Sequence, residues 1–282
     1  MIGFNHLGGL GRLGNQMFEF AALRGIAAEH GYDICIPPAG HKTIENYSLH
    51  ECFKLDHIPT GFIDGERYSL EQTFHYNNDL YATCPDDISL YGFFQSWRYF
   101  ITVEEQIRKD FTFHKGVLGP CLEMMEELEG QEPIMLHVRR GDPNLTDPRG
   151  FKWSYTQCSS QHPPQPLEYY EKALRAFPED QPVIVFSDSV DWVKEQELFK
   201  PDRFMISEPE EKYSDGSFTP YIDLCLMSLC SHAIIANSTM SWWGAWLQSN
   251  PDKMVFAPKM WFGPDYKDKD TKDLYYPGWH LL

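Results

Sequence analysis

The segment 137–142, which reads His-Val-Arg-Arg-Gly-Asp, carries the side chains best suited to chemistry in this chain. It follows the apolar residues 134–136, so we predict a short buried strand that ends in an imidazole, two guanidiniums and a carboxylate. In open α/β sheets, ligands bind beyond the carboxyl ends of the strands. A planar guanidinium matches two phosphate oxygens at once, which favours a diphosphate as the ligand of Arg139 and Arg140. Salt bridges from these arginines to acids elsewhere in the chain are an equally open interpretation.

Two further polar segments follow predicted strands. They are 187–189 (Ser-Asp-Ser), after the strand at 183–186, and 237–241 (Asn-Ser-Thr-Met-Ser), after the strand at 233–236. Because parallel strands end at the same edge of a sheet, we expect both segments near 137–142. A helix that begins with hydroxyls and free backbone N–H groups binds anions, and the carboxylate of Asp188 matches two adjacent donors of a guanine. Simple helix capping would explain each segment taken alone.

A glycine-rich turn, 8–14, lies between a short predicted strand at 1–7 and a helix predicted from about Gln16 to His30. We expect Asn15 to cap the helix and Gly31 to end it in the left-handed conformation. Residues 9–14 spell G-x-G-x-x-G, but the acid that closes the second strand of a dinucleotide-binding unit is missing. We therefore interpret the glycines as allowing close approach to a substrate that Asn15 or Arg12 contacts.

The elements that position these residues alternate from residue 134 onward. Strands are predicted at 134–138, 183–186, 233–236 and 254–257, and helices at 166–177, 190–199, 220–231 and 239–249. This alternation predicts a mostly parallel sheet covered by helices. A long loop at 143–166 emerges beside the arginines, as lids and binding loops do.

The composition limits the class of partner. The formal net charge of −17, from 24 Lys and Arg against 41 Asp and Glu, argues against nucleic acid. The seven cysteines are scattered without close pairs, which favours a reduced compartment. We expect a cytoplasmic protein, since no signal-peptide pattern and no apolar run of about 18 residues occurs. The D-x-D at 268–270 lies in a Lys- and Asp-rich segment assigned to the solvated surface, so no metal site is predicted.

Three motifs together resemble the bacterial α-1,2-fucosyltransferases of glycosyltransferase family 11. They are 11–16 (Gly-Arg-Leu-Gly-Asn-Gln), 137–142, and 237–243 (Asn-Ser-Thr-Met-Ser-Trp-Trp), in the family's order over nearly the whole chain. The H-x-R-R-x-D element is shared with α-1,6- and protein O-fucosyltransferases. The resemblance implies an α/β, GT-B-like fold of two Rossmann-like halves with mostly parallel sheets and a cleft between them.

The implied domains are an acceptor-side domain at 1–130, a GDP-fucose-binding domain at 131–260, and a C-terminal segment at 261–282 that packs back on the N-terminal domain. The resemblance also implies roles for single residues. Arg139 would clamp the diphosphate beside Arg140, His137 would contact the guanine side, and Asp188, next to Ser187, would hold the guanine. Phosphate donors would be Ser238, Thr239 and Ser241. Asn15, in the turn that holds Arg12, would lie near the fucose or the acceptor.

The implied reaction is a metal-free, inverting transfer of L-fucose from GDP-β-L-fucose to the 2-hydroxyl of a galactoside. Arg139, Asp142 and Asn15 are the predicted catalytic residues, with Asp142 the first candidate for the general base and Asp147 the second. The alternative role for Asp142 is to orient Arg139 or Arg140. The alternatives are fucose transfer to another position or to a protein, and an inactive glycan- or nucleotide-binding protein. Expected partners are GDP-fucose and an oligosaccharide; peripheral contact with the inner membrane through a lipid-linked acceptor stays open, as does the oligomeric state.

Overall fold

The computed structural model describes residues 1–40, 47–64, 68–71, 73–128, 130–141, 159–208 and 220–282. The chain forms two compact units. Unit 1 comprises Met1–Lys115 and Lys269–Tyr276, and unit 2 comprises Gly116–Asp268 and Pro277–Leu282. The chain thus enters unit 2 at Gly116, whereas the sequence placed the division at 130. The C-terminal segment divides between the units, because 269–276 belongs to unit 1 and the last residues form a strand of unit 2.

Unit 1 is built on a parallel sheet. Its strands are β1 (Ile2–Gly3), β2 (Ile34–Cys35), β3 (Tyr68–Leu70) and β4 (Ile88–Tyr91), paired in the order β2-β1-β4-β3. The α-helices of its described part are α1 (Leu13–His30), α2 (Leu49–Cys52), α3 (Asn78–Thr83) and α4 (Glu104–Asp110). The order reverses direction between β1 and β4, so the turns that follow these two strands lie side by side.

Helix α1 is buried on nearly every side, and its buried residues include the polar Gln16 and Glu19. It begins at Leu13 rather than at Gln16, because the carbonyl of Arg12 accepts hydrogen bonds from the backbone of Asn15 (2.9 Å) and Gln16 (3.2 Å). The prediction of Asn15 as the N-cap was therefore wrong, and this residue lies inside the first turn. Gly31 ends the helix at φ +68°, as predicted.

Unit 2 is built on a six-stranded parallel sheet. Its strands are β5 (Ile134–Val138), β6 (Val183–Ser187), β7 (Phe204–Ile206), β8 (His232–Ile234), β9 (Val255–Ala257) and β10 (His280–Leu281), paired in the order β10-β9-β8-β5-β6-β7. The α-helices in its described part are α5 (Lys115–Glu126), α6 (Leu167–Leu174), α7 (Val190–Glu195), α8 (Pro220–Leu229) and α9 (Thr239–Leu247). The four predicted strands are confirmed in place, with shifts of one or two residues at their ends.

The strand order of unit 2 reverses between β5 and β8, which makes a doubly wound sheet with a switch point at its centre. Ligands of such sheets bind outside the carboxyl ends of the strands at that point. One face of the sheet packs on α6 and α7 through an apolar cluster that includes Leu136, Val138 and Tyr170. In the described part of the chain, no helix is both long enough and apolar enough to cross a bilayer.

Candidate functional site

Strand β5 carries His137 to the centre of the sheet in unit 2. Side chains alternate between the two faces of a strand, so Leu136 and Val138 enter the cluster against α6 and α7, whereas Met135 and His137 face the other way. That other face is covered by α9: a Cβ added to Gly244 would lie 3.4 Å from the Met135 sulfur. His137 thus stands between the sheet and the α8–α9 layer, one residue before the end of β5.

The imidazole of His137 is neutral at pH 7. His137 is only 5% exposed, and burial lowers the pKa of its imidazole to about 4. Arg139 also lowers this pKa, whereas nearby Asp188 raises it. Among the described residues, its Nδ1 atom has no hydrogen-bond partner although it is shielded from solvent. A buried polar atom in this position is suited to a hydrogen bond with a bound ligand, not to neutralising a phosphate charge.

Asp188 organises the turn that follows β5. One oxygen accepts the backbone N–H of Arg140 and the other that of Gly141, both at 2.9 Å, and the carboxylate forms an ion pair with Nη1 of Arg139. The turn has its left-handed residue at Gly141, with φ +74°. Ser189 completes the attachment, since its hydroxyl donates to the Gly141 carbonyl at 2.8 Å. The ends of β5 and β6 are thereby held together by one carboxylate.

These contacts bear on the assignments made from sequence. The salt bridge offered as the alternative for the arginines is present for Arg139. It is compatible with a diphosphate site, because a guanidinium has five N–H donors. Both oxygens of Asp188 accept backbone N–H groups, so its direct role here is to position the turn and Arg139. Recognition of guanine by Asp188 stays a prediction.

Arg140 stacks on an aromatic face. Its guanidinium carbon lies 3.9 Å from the ring centroid of Trp192 on α7, within the range of a cation–π contact. Burial lowers the pKa of Arg140, while Tyr170 and Asp188 oppose that shift. The stack fixes the plane of the guanidinium, which is the geometric requirement for binding phosphate oxygens in pairs. Trp192 was not identified from sequence.

The N-terminus of α9 lies at the end of β8, next to β5 in the sheet. Ser238 is the N-cap residue and its side chain makes no capping bond, so the predicted capping alternative does not apply to it. Thr239 is the first helical residue, and the amides of this turn have no acceptor within the helix, which favours an anion there. Ser241 is fully buried and its hydroxyl donates to the Ser238 carbonyl at 3.2 Å. We therefore assign Ser241 to bracing the helix start and not to binding phosphate.

Two neighbours brace this region further. Asn237 is buried and donates to the carbonyls of Pro163 (3.0 Å) and Trp261 (3.1 Å), which ties the end of β8 to two other segments of unit 2. Ser187 is buried at the end of β6, where its hydroxyl oxygen accepts the backbone N–H of Ser189 at 2.9 Å. Ser187 thus supports the residue that holds Gly141.

In unit 1, the glycine-rich turn is closed by side chains of α1. Gln16 donates to the Gly11 carbonyl at 3.1 Å and accepts the backbone N–H of Ser48 at 3.0 Å. A Cβ on Gly11 would lie 2.2 Å from the Asn15 amide nitrogen, so glycine is required there for the approach of Asn15. The glycine was predicted to let a substrate approach the backbone, but in this structure it lets the side chain of Asn15 approach. Arg12 is exposed at the start of α1.

The amide of Asn15 is oriented by a residue that was not identified from sequence. Gln95, which follows β4 and is 7% exposed, donates from Nε2 to Oδ1 of Asn15 at 3.0 Å. Its position shortly after an apolar strand could have identified Gln95 as a site residue. However, β4 lies in the aromatic-rich region, for which no strand was predicted. Two acids of unit 1, the buried Glu19 and the partly buried Glu71, were also missed.

Both candidates for the general base, Asp142 and Asp147, lie outside the described residues, as does most of the loop at 143–166. Over the described ranges, no group of three or more His, Cys, Asp or Glu side chains is arranged to hold a metal ion. The discounted D-x-D shows surface contacts, since Asp270 pairs with Lys272 at 3.1 Å and is partly exposed.

Comparison with known proteins gives a match over the whole chain. A family model described as glycosyl transferase family 11 matches residues 2–282. The O-antigen biosynthesis glycosyltransferase WbnK of Escherichia coli is 29% identical over 93% of this chain and 96% of its own length. An α-1,2-colitosyltransferase of Escherichia coli is 26% identical, with coverage of 89% and 90%. The galactoside α-(1,2)-fucosyltransferase 1 of Homo sapiens is 27% identical over 91% of this chain and 72% of its own.

Solved structures show the same fold at lower identity. The fucosyltransferase NodZ from Bradyrhizobium gives a TM-score of 0.58 at 16% identity, over 90% of this chain and 94% of NodZ. NodZ α-1,6-fucosyltransferase soaked with GDP-fucose gives 0.53 at 16%, with the same coverage. POFUT1 in complex with GDP gives 0.54 at 13% identity, with coverage of 90% and 97%. The predicted GT-B-like fold is confirmed by these likenesses and by the two parallel sheets.

Proposed function

Because the chain belongs to glycosyltransferase family 11, we propose that it transfers L-fucose from GDP-β-L-fucose to the 2-hydroxyl of a galactoside glycan. The observation that carries this proposal is the cluster at the carboxyl edge of the sheet in unit 2. There Asp188 holds the turn of Arg139 and Arg140 beside the N-terminus of α9. The α-1,2 linkage and the galactoside acceptor are supported by the relatives that carry those words in their names.

The donor is assigned to unit 2 by charge. GDP carries its negative charge on the diphosphate, and the arginines and the first amides of α9 offer positive potential at neighbouring strand ends. Thr239 and Ser238 are the hydroxyls placed to donate there. His137, neutral and buried, is assigned to the guanine side, where an uncharged hydrogen-bonding group is sufficient. Structures of proteins with this fold contain GDP or GDP-fucose.

The proposed step is a displacement at the anomeric carbon with inversion. The acceptor oxygen forms a bond to C1 of fucose while the bond from C1 to the β-phosphate oxygen breaks, and GDP leaves with the electron pair. Arg139 and the α9 amides stabilise the negative charge that develops on the β-phosphate. The acceptor hydroxyl loses its proton to a carboxylate, with Asp142 as the first assignment and Asp147 as the second. Asn15 is assigned to the fucose or the acceptor.

We propose that no metal ion is required, because two guanidiniums and a helix N-terminus supply the positive charge that a divalent cation otherwise brings to a leaving diphosphate. EDTA should leave the turnover rate unchanged when GDP-fucose and a galactoside are supplied. A loss of activity that Mg²⁺ or Mn²⁺ restores would contradict this part of the proposal.

The test of the donor site is Arg139→Ala, assayed with GDP-fucose over a panel of glycan acceptors and with linkage analysis of the product. We expect a loss of about 100- to 1,000-fold in kcat, as for the removal of a transition-state donor. Arg139→Lys keeps the charge but not the planar fork, so its activity should lie between those of the wild type and Arg139→Ala. Arg108→Ala serves as the matched control, because that arginine pairs with Glu104 on the surface of α4. An Arg139→Ala enzyme with nearly full activity would overturn the assignment.

Colitose is the second candidate for the transferred sugar, because one relative, at 26% identity, is a colitosyltransferase. Parallel assays with nucleotide-activated fucose and colitose decide between the two sugars. Product linkage other than α-1,2, or fucose on a protein, would replace the proposed acceptor. Binding of GDP in calorimetry without turnover on any acceptor would favour the inactive binding protein instead.

A further inference from the structure

The turn after β4 in unit 1 is held by a carboxylate. Glu71 directly follows β3 and pairs with the end of β4, since its backbone N–H donates to the Tyr91 carbonyl at 2.9 Å. Its Oε2 atom accepts the backbone N–H of Phe93 at 2.8 Å and of Phe94 at 3.0 Å. Phe94 adopts φ +48°, a left-handed conformation that side chains rarely take. Two hydrogen bonds to one carboxylate oxygen therefore stabilise a strained turn.

The backbone of this turn is adapted to Glu71. Gly92 has φ +152°, and a Cβ on Gly92 would lie 2.4 Å from the Cβ of Glu71. No other residue type allows the backbone at position 92 to approach Glu71 this closely. The Phe94 ring is fully buried and packs edge-on against Phe4 and Tyr99, with centroids 5.8 and 5.2 Å apart. Strain of this kind persists where the surrounding structure enforces it, and it concentrates at functional sites.

The turn ends in Gln95, whose side chain donates to Asn15 at 3.0 Å. The amide of Asn15 is thus aimed by a residue whose own backbone position depends on Glu71. We propose that Glu71 is a positioning residue of the transfer reaction, which sets the amide of Asn15 through the turn 92–95. This inference rests on the proposed function, in which Asn15 contacts the fucose or the acceptor.

The charge of Glu71 adds a measurable signature. Its Oε1 atom is shielded from solvent and has no hydrogen-bond partner among the described residues. The titratable groups around it are Glu19 on α1, Lys269 in the C-terminal segment of unit 1, and the phenol of Tyr99. Burial raises the pKa of Glu71 to about 7, while the amides of Phe94 and Phe93 and the charge of Lys269 lower it.

Glu19 is fully buried, and burial, with a smaller contribution from the charge of Glu71, raises its pKa well above the usual range. The Gly8 amide offsets part of this cost. Glu71, with its pKa raised to about 7, is the group whose charge changes near neutral pH. A neutral carboxyl accepts the two amide bonds less strongly than a carboxylate. Positioning of Asn15 should therefore improve as the pH rises through about 7.

The experiment measures kcat and KM for GDP-fucose from pH 5.5 to 9 in wild type, Glu71→Ala, Glu71→Gln, Asn15→Ala and the double variant Glu71→Ala/Asn15→Ala. Glu71→Ala should lose about 100-fold in kcat, because small misplacements at a reacting centre cost that much, with KM for GDP-fucose unchanged. The double variant should be no slower than Asn15→Ala, since both changes remove one function. Glu71→Gln can still accept both amides but is neutral at every pH, so it should keep the low-pH kcat of wild type throughout and lose the rise near pH 7.

Glu105→Gln, an exposed change on α4, is the matched control and should retain the wild-type profile. Any one of three results overturns the inference. The first is a wild-type kcat in Glu71→Ala, and the second is a double variant that is slower than Asn15→Ala by the full factor lost in Glu71→Ala. The third is a pH profile of Glu71→Gln in which kcat still rises near pH 7. If Glu71→Ala does not fold by circular dichroism, the Glu71→Gln profile decides. Wild-type enzyme inactive on every acceptor overturns the proposed function itself, whereas active wild type with an unaffected Glu71→Ala overturns only the inference.

Discussion

In each unit, a carboxylate at the end of one strand accepts two consecutive backbone amides from the turn that follows the neighbouring strand. Asp188, at the end of β6, holds Arg140 and Gly141 after β5; Glu71, at the end of β3, holds Phe93 and Phe94 after β4. The backbone device is the same, because parallel strands bring their carboxyl ends to one edge. The two carboxylates differ in the charges around them.

Asp188 is partly exposed and pairs with Arg139, so its turn presents cationic side chains. Glu71 is also partly exposed, but its Oε1 atom is shielded from solvent, and the charge of Lys269 lowers its pKa. Burial then raises the pKa of Glu71 to about 7. On our proposals, one way of holding a turn serves two purposes: beside Arg139 it would build an anion site, and around Glu71 it would make the geometry depend on pH.

The largest effect is expected from Asp188→Ala. It frees two amides and removes the partner of Arg139, so both backbone and guanidinium lose their places, and kcat should fall by about 1,000-fold. Affinity for GDP, measured by calorimetry, should fall as well, in contrast to the unchanged KM expected for Glu71→Ala. If Asp188→Ala weakens only kcat and leaves GDP binding intact, the two carboxylates do not differ in purpose.

The glycines of the two turns should differ in their tolerance of alanine. Gly92→Ala combines an unfavourable φ with a contact of 2.4 Å to Glu71, so we expect a loss of about 3 kcal/mol in the free energy of unfolding. Gly141→Ala has a left-handed φ of +74° to overcome, for which we expect a loss of about 1 kcal/mol. Urea unfolding of both variants measures the difference. Equal losses would show that the close approach to Glu71 adds nothing.

The smallest effect is expected from Trp192→Ala. The cation–π contact at 3.9 Å holds the guanidinium plane of Arg140, and its loss should weaken the binding of GDP-fucose by about fivefold, which corresponds to about 1 kcal/mol. Trp192→Phe should restore part of the affinity. Unchanged binding in Trp192→Ala would limit the arginine cluster to Arg139.

Local patterns were sufficient to predict the central strands and the ends of α1 in part. The apolar runs at 134–138 and 183–186 are strands because they are buried on both faces of a parallel sheet. The short edge strands β7 and β10 were not predicted, since three or fewer residues carry no periodicity. Strands β3 and β4 lie among aromatic residues that pack equally well in several kinds of element.

By itself, the sequence determined where chemistry could reside. Two arginines directly after an apolar run, for example, indicate both that a strand ends there and that an anion can bind there. Only the tertiary structure decided which group each of them contacts. Asp188 lies 48 residues from Arg140, and Gln95 lies 80 residues from Asn15, so neither contact follows from spacing along the chain. The burial of Glu71 likewise depends on the packing of distant segments. Partners of polar groups are selected by the whole fold, since most buried donors and acceptors find a hydrogen-bond partner somewhere within it.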